Sequence, residues 1–458
     1  MKFLSARRTL SAGIIAAASV AAFAVPSSAS AALPGHCKGA STTEGAGSSF
    51  QLEAEEIWTG KVGTGGFDKN KDVGCVGGPT IGYRSIGSGA GYKEWAVKEL
   101  YGTVGFVGTD NTVNTAEKTV VENEADAGKS SELGTVPVLQ GAVAIVMNLP
   151  ANCEANSTVA PKRLAVTQKE LTEIYEGDLT KWSELTAKAT NSGDELIGAS
   201  CNKETKIQPI VRKDSSGTTH IFKKFLFSND PSKLENECSG TSLTWGELAE
   251  GTACASETAL NWNQEWPLHE GSPVVKHAAT TTNTGVLKEV AENPGDIGYA
   301  DLSQARNAAN GGFTGQSPQR FWAEVESSSK KGKPTYKDPA TNGDVEAGAE
   351  SNCKDTVYSN GRGTFPPPAV TSPWNEVAAE NSSKTYVLCG MTYVLVLSNY
   401  SAYATQGGTA AEAQTVKDYL AYVVAKKGGA AEIKGHDFAP LPKSLAKSAA
   451  EGVALIQD

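Results

Sequence analysis

The chain has 458 residues, 39% of them apolar and 20% charged, which is the balance of a folded protein and excludes a disordered one. That length allows two lobes around a sizeable core. Acidic residues outnumber basic ones 51 to 41, for a net charge of -10, so the surface is not one that binds nucleic acid or an anionic membrane.

The first stretch reads as an export signal, residues 1–31. Lys2, Arg7 and Arg8 give a positive start, Ile14 to Val25 is apolar, and Ala29-Ser30-Ala31 is a cleavage signature. Cleavage after Ala31 lowers Lys plus Arg from 41 to 38 against 51 acids, a net charge of -13. An anion site on such a chain has to work through local dipoles, against the global field. No later apolar run is long enough to span a bilayer, so the expectation is an exported protein without membrane insertion. The eight cysteines are Cys37, Cys75, Cys153, Cys201, Cys238, Cys254, Cys353 and Cys389. None forms a CxxC pair, and an oxidising compartment favours disulfides over a metal site. Sequential pairing (37–75, 153–201, 238–254, 353–389) is the simplest of about 105 connectivities. Pro34-Gly35-His36 before Cys37 does not resemble a lipoprotein processing box, so no lipid anchor is expected.

Strand–turn–helix units then repeat. Gly45-Ala46-Gly47-Ser48-Ser49 opens a segment in which Phe50, Ala54, Ile57 and Trp58 share one helical face. Asp68 to Asp72 is similar to the start of a calcium loop, but Val73 and Pro79 stand where Gly and Glu are needed, so a solvated loop is expected. Thr80 to Ile86 alternates as a strand. Gly87-Ser88-Gly89-Ala90-Gly91 then leads into a helix over Tyr92 to Tyr101, with Tyr92, Trp95, Ala96 and Leu100 inward. Val104 to Val107 is an apolar strand ending at Gly108-Thr109-Asp110-Asn111. Thr167-x-x-Glu170 is a capping box. Ile207 to Val211 precedes Arg212-Lys213-Asp214-Ser215-Ser216-Gly217-Thr218, and Ile221/Phe225 and Phe222/Leu226 then pair on a helix. Gly/Ser/Thr-rich stretches at 59–79, 184–205, 228–262 and 325–385 carry most cysteines and read as stapled surface insertions. The alternation predicts an α/β protein.

Ser49, Ser88 and Ser216-Gly217-Thr218 each place hydroxyls and free N–H groups where a helix starts. Helix starts bind oxyanions, although Ser and Thr are also ordinary N-caps, and spacing alone does not show that the three loops converge. Arg212 sits at a strand end where a guanidinium can fork onto an oxyanion, and Asp214 can hold it. Asp110 lies at the open end of its strand. A turn or surface role is the plainer reading of each residue alone. Among hydrolase signatures there is no Gly-x-Ser-x-Gly elbow, no HExxH and no clustered metal ligands. His220 invites a reading as a base for Ser216, but packing in a first helical turn is the simpler role. No cofactor is expected.

In order along the chain, these motifs resemble the phosphate-binding proteins of phosphate ABC transporters, the PstS type. The resemblance rests on Gly45-Ala-Gly-Ser-Ser-Phe50, Tyr83 to Gly91, Phe106-Val-Gly-Thr-Asp110 and Val136 to Leu149. It continues at Leu171 to Trp182, Val211 to Thr218, Gly295-Asp-Ile-Gly-Tyr299 and Phe438-Ala-Pro-Leu-Pro442. It covers most of 42–300 and 386–450. It implies an α/β type II periplasmic-binding-protein fold: two α/β lobes joined by two crossover strands, with disulfide-stapled insertions. Lobe I would comprise 32–140 plus 392–458, and lobe II 141–391, insertion-rich at 228–262 and 301–385. The implied phosphate contacts are Ser49, the N–H of Phe50, Ser88, Asp110, Arg212, Ser216, Gly217 and Thr218, with Asp214 in support. Ser215 stands where Gly is usual in the family. The resemblance further implies inorganic phosphate as partner, an ABC-transporter permease to receive it, a monomer and no enzyme activity. A sulfate or molybdate receptor is a rival that Asp110 and Arg212 speak against. An exported module with a scavenging, sensing or adhesive role is the other.

Overall fold

The computed structural model describes residues 43–457 apart from 62–65, 68–79, 97–103, 157–162, 187–194, 239–240, 251–262, 315–318, 331–332, 342–348, 360–373, 375–376 and 380–383. The export signal, Cys37, Cys75, Cys254 and the 68–72 loop lie outside the described residues.

Strand and helix alternate as the sequence predicts. Thr43–Gly47 (β1) is followed by Leu52–Trp58 (α1), Ile81–Ser85 (β2) by Ser88–Ala96 (α2), and Val104–Thr109 (β3) by Thr115–Asn123 (α3). The long strand Leu133–Asn148 (β4) then leads to Gln168–Glu176 (α4). A second set comprises Gln208–Val211 (β5), Gly217–Asn229 (α5), Lys276–His277 (β6), Thr282–Glu292 (α6), Asp296–Asp301 (β7), Leu302–Arg306 (α7) and Arg320–Trp322 (β8). The chain returns through Cys389–Leu397 (β9) and closes with Ala410–Val424 (α8), Phe438–Ala439 (β10) and Lys443–Leu455 (α9).

One sheet runs β6-β5-β7-β4-β9-β3-β1-β2, with β8 and β10 also paired to β4. Parallel pairing links β1 to β2 and β3, and β5 to β6 and β7. β4 is buried along its whole length and joins the two sets. From Leu133 to Ala142 it pairs with β9; from Val143 to Met147 it pairs with β7. The apolar core is accordingly continuous through both lobes, from Trp58, Trp95 and Phe106 to Phe222, Trp266 and Tyr299. Phe222 stacks on Tyr299 with ring centroids 4.6 Å apart.

The capping box forms: Thr167 Oγ1 accepts from Glu170 N at 3.0 Å, and Glu170 Oε2 accepts from Thr167 N at 2.8 Å. Cys153–Cys201 and Cys353–Cys389 are disulfides, both of them sequential pairs, and Cys238 is disulfide-bonded too. Two readings change. The helix after β2 begins at Ser88, so Gly89 and Gly91 lie in its first turns and not in a preceding loop. A Cβ on Gly91 would come 2.6 Å from Gly47 Cα, and one on Gly89 2.3 Å from Ser215 Cβ, so this helix start is packed too closely for side chains. The 325–385 stretch is also more than a surface insertion. Its Tyr358 and Trp374 are buried against Met391, Tyr393 and Leu445.

Candidate functional site

Every site residue expected from sequence is gathered where the C-terminal ends of β1, β3 and β5 face the starts of α2, α5 and α6, and all but Asp214 are deeply buried. The first turn supplies Ser48, Ser49 and Phe50. Gly47, at φ +136°, lets this turn pass so close to β3 that Ser48 N donates to Gly108 O at 2.7 Å. Tyr83 OH donates to Ser48 O at 2.8 Å and fixes the turn from below.

Arg212, 1% exposed, is the charged centre. Its Nε donates to Asp214 Oδ1 at 2.8 Å and its Nη2 to Asp214 Oδ2, the forked arrangement that fixes a guanidinium plane. Its Nη1 donates to Asn283 Oδ1 at 2.8 Å and to Ser49 Oγ at 3.1 Å, reaching from one lobe to the other. Burial works against the cation, but Asp214, Tyr299 and Asp110 outweigh it and hold its pKa above the usual range.

Asp110 sits opposite. Its Oδ1 accepts from Ser48 Oγ at 2.5 Å and from Thr392 Oγ1 at 2.8 Å. Burial pushes the carboxyl up to about 6, while the Ser48 and Thr392 hydroxyls and the Arg212 charge pull it down. Ser88 Oγ accepts from Asp110 N and from Gly217 N, each at 3.3 Å. Gly217 is required there, because a Cβ would lie 2.5 Å from Asp110 Cβ and 2.7 Å from Asp110 Oδ2.

Other donors are already partnered within the protein. Phe50 N donates to Ser48 Oγ at 3.0 Å, and Ser216 Oγ caps α5 by accepting from Thr219 N at 3.1 Å. Ser216 N donates to Asn263 Oδ1 at 3.2 Å, and Asn263 Nδ2 returns a bond to Ser216 O at 2.9 Å. Thr218 Oγ1 accepts a long bond, 3.5 Å, from Asn283 Nδ2.

Sequence reasoning missed Ser48, Asn283, Asp301, Gln304 and Thr392. Asn283 donates to Asp301 Oδ2 at 2.6 Å while holding Arg212, and burial pushes Asp301 up to about 7. Gln304 Nε2 donates to Ser49 O, a second link between lobes. Thr281-Thr282-Asn283-Thr284, ahead of buried Val286, Leu287 and Val290, is a legible helix start. Thr282 has φ +69°, an outlier for a β-branched residue, and its N–H meets Asp214 Oδ1 at 3.1 Å. Among the described residues no group of His, Cys, Asp and Glu side chains is placed to hold a metal ion, and no helix is long and apolar enough to cross a membrane.

Two α/β lobes on two crossover strands, with paired helix starts around a buried Arg–Asp fork, define a type II periplasmic-binding-protein architecture. The profile of the PBP superfamily domain matches residues 32–366, and the chain belongs to that superfamily. Among curated proteins it is similar to the phosphate-binding protein PstS of Xylella fastidiosa, 28% identical over 262 residues, 57% of this chain and 53% of that protein. PstS of Haemophilus influenzae is 28% identical over 208 residues, 45% of this chain and 50% of that protein. The chain thus spans about half the length of the curated relatives it matches. Among solved structures, the phosphate-binding protein of Stenotrophomonas maltophilia aligns at TM-score 0.56 and 18% identity, over 89% of this chain and 93% of that one. A periplasmic phosphate-binding protein, PfluDING, solved with phosphate bound, aligns at TM-score 0.52 and 18% identity, over 89% and 92%.

Proposed function

We propose that the protein binds inorganic phosphate in the cleft between its lobes, outside the cytoplasm, and passes it to a phosphate ABC transporter. The observation that carries this reading is the convergence of Ser49, Phe50, Ser88, Asp110, Arg212, Ser216, Gly217 and Thr218 in one buried cluster holding a cation and a carboxylate. The relatives named above are phosphate-binding proteins, which favours the same ligand here. The lobe division we propose is 32–140 plus 392–458 and 141–391; the change of β4 partners after Ala142 supports it. The export signal at 1–31 is part of the same proposal, and so are a monomeric state and a binding role without catalysis.

Selection of phosphate over sulfate falls to Asp110. Phosphate near neutral pH carries a proton that a carboxylate can accept; sulfate carries none, and its charge would face the carboxylate in a water-poor site. An uncompensated buried contact of that kind costs about 3–5 kcal/mol, roughly a thousandfold in affinity. The test is calorimetric titration of ligand-stripped protein with phosphate, with sulfate and arsenate as competitors, on the wild type and on Asp110→Asn. Tight phosphate binding that sulfate disturbs only in Asp110→Asn is expected. Absence of phosphate binding, or sulfate rejection unchanged in Asp110→Asn, would overturn the reading.

A further inference from the structure

We propose that Thr392, on the second crossover strand, is a positioning residue that sets the protonation state of Asp110 and thereby the pH range over which the site rejects fully ionised oxyanions. This rests on the phosphate reading above and deepens it.

Four observations converge on Thr392. It is a fully buried polar side chain inside an otherwise apolar strand, β9. The pairing of β9 with β4 slips at this residue: Thr392 lies opposite Leu139 and Tyr393 opposite Pro137, leaving Val138 as the extra residue of a bulge. Bulges re-aim side chains, and Pro137 has no N–H with which to continue the ladder. The hydroxyl is also orientated. Gln51 Nε2 donates to Thr392 Oγ1 and, at 2.7 Å, to Tyr393 O, so the threonine oxygen accepts from Gln51 and must send its own proton elsewhere. Two acceptors are in reach, Asp110 Oδ1 at 2.8 Å and Thr109 O at 3.2 Å. The nearer one is also the charged one and takes the proton. Finally, Thr392 and Ser48 both occupy Oδ1, which leaves Oδ2 as the carboxylate oxygen for a guest's proton.

A hydroxyl that donates to a carboxylate favours its ionised form. Thr392 therefore keeps Asp110 an acceptor against the burial that would protonate it. A protonated Asp110 would be a donor and would accommodate sulfate. Ser48 Oγ, donating to the same Oδ1 at 2.5 Å, and the Arg212 charge act in the same direction, so Thr392 supplies one part of the pull and its removal shifts the carboxyl without releasing it. Arg212 is a permanent cation tied to Asp214. Burial raises the phenols of Tyr83 and Tyr393, which keeps them neutral. His220 and Lys224, on α5, line a cavity that Asp110 also lines; there His220 Nδ1 lies 3.3 Å from Ala249 O and Lys224 pairs with Glu250 at 2.8 Å.

The experiment has two readouts on ligand-stripped wild type, Thr392→Val, Thr392→Ala and Thr392→Ser. The first follows the Asp110 carboxyl by 13C NMR against pH, with Asp110→Asn to assign the signal. Loss of a hydroxyl donor to a carboxylate should move the titration upward by about 1 pH unit or more in Thr392→Val and Thr392→Ala, and Thr392→Ser should restore the wild-type midpoint. The second is sulfate competition against phosphate from pH 5.5 to 9. The Val and Ala variants should admit sulfate about 10-fold more readily at pH 7 and recover rejection at higher pH, whereas Asp110→Asn should admit it at every pH. An Asp110 midpoint unmoved in both the Val and Ala variants would overturn the role of Thr392 while leaving phosphate binding intact. Uniform weakening of both anions at all pH values, with the midpoint unmoved, would reduce Thr392 to a packing residue and overturn it equally. Failure of the wild type to bind phosphate would overturn the underlying reading, and the NMR midpoint would still decide whether Thr392 tunes Asp110.

Discussion

Replacing Arg212 by Met removes the charged donor while keeping most of the side-chain length. Arg212 makes four side-chain hydrogen bonds, two to Asp214 and one each to Asn283 and Ser49, out of the five N–H groups a guanidinium carries. Without it, the Asp214 carboxylate and Asn283 Oδ1 both lose the cation that they share. Breaking a buried pair in this way costs about 3–5 kcal/mol of folding stability. Phosphate affinity suffers separately, because a charge-assisted bond is worth about 1.5–3 kcal/mol, a loss of roughly 10- to 150-fold. Urea denaturation and calorimetric titration, run on Arg212→Met, Asp214→Asn and the double variant, separate the two effects. The double variant should recover part of the stability, since no uncompensated charge remains, but none of the affinity. If the double variant binds phosphate within about threefold of wild type, Arg212 does not act on the ligand and the argument fails.

Gly217→Ala places a methyl group against Asp110 at the start of a helix, where alanine is otherwise the better residue by about 1 kcal/mol. The Cβ and backbone N of Asp110 would have to give way, so the melting temperature should fall, by about 1–3 kcal/mol of stability, and the phosphate Kd should rise at least about 10-fold; an unchanged melting temperature and Kd would contradict this. Glu55, buried on α1, accepts from Tyr419 OH at 2.6 Å, its Oε1 has no partner among the described residues, and burial pushes it up to about 8. Raised above its unfolded value of 4.5, it favours folding fully below pH 4.5, and that contribution is lost as pH rises through 8. Glu55→Gln should therefore match wild type near pH 5 and exceed it by up to about 4 kcal/mol near pH 9 in urea unfolding. An equal difference at both pH values would contradict this.

The strand–helix units, and most of the residues that the fold gathers in the candidate site, are legible because their signals are local. Alternating β-branched runs and glycine-rich turns announce β1 to β3 and β5, and hydroxyls at helix starts announce Ser49, Ser88 and Ser216. What escaped is what depends on distant pairing. Nothing near Thr392 in sequence says that it touches Asp110, 282 residues away. Glu55 reads as a solvated face of an amphipathic helix, yet the glutamate is buried and meets Tyr419 of α8, a partner far away in sequence. Ser48 and Ser49 carry the same local signal, as adjacent hydroxyls in one turn, and only the fold gives Asp110 to one and Arg212 to the other. The start of the helix at Ser88 was obscured because glycine ordinarily breaks helices, and only the contacts of Gly89 and Gly91 with other chain segments make it the necessary residue there.

β4 spans roughly 50 Å at the usual rise per residue and belongs to both halves of the sheet. Neither half is a finished piece of sheet without it, so excising one as a separate fragment would expose a raw edge prone to sticking to other molecules.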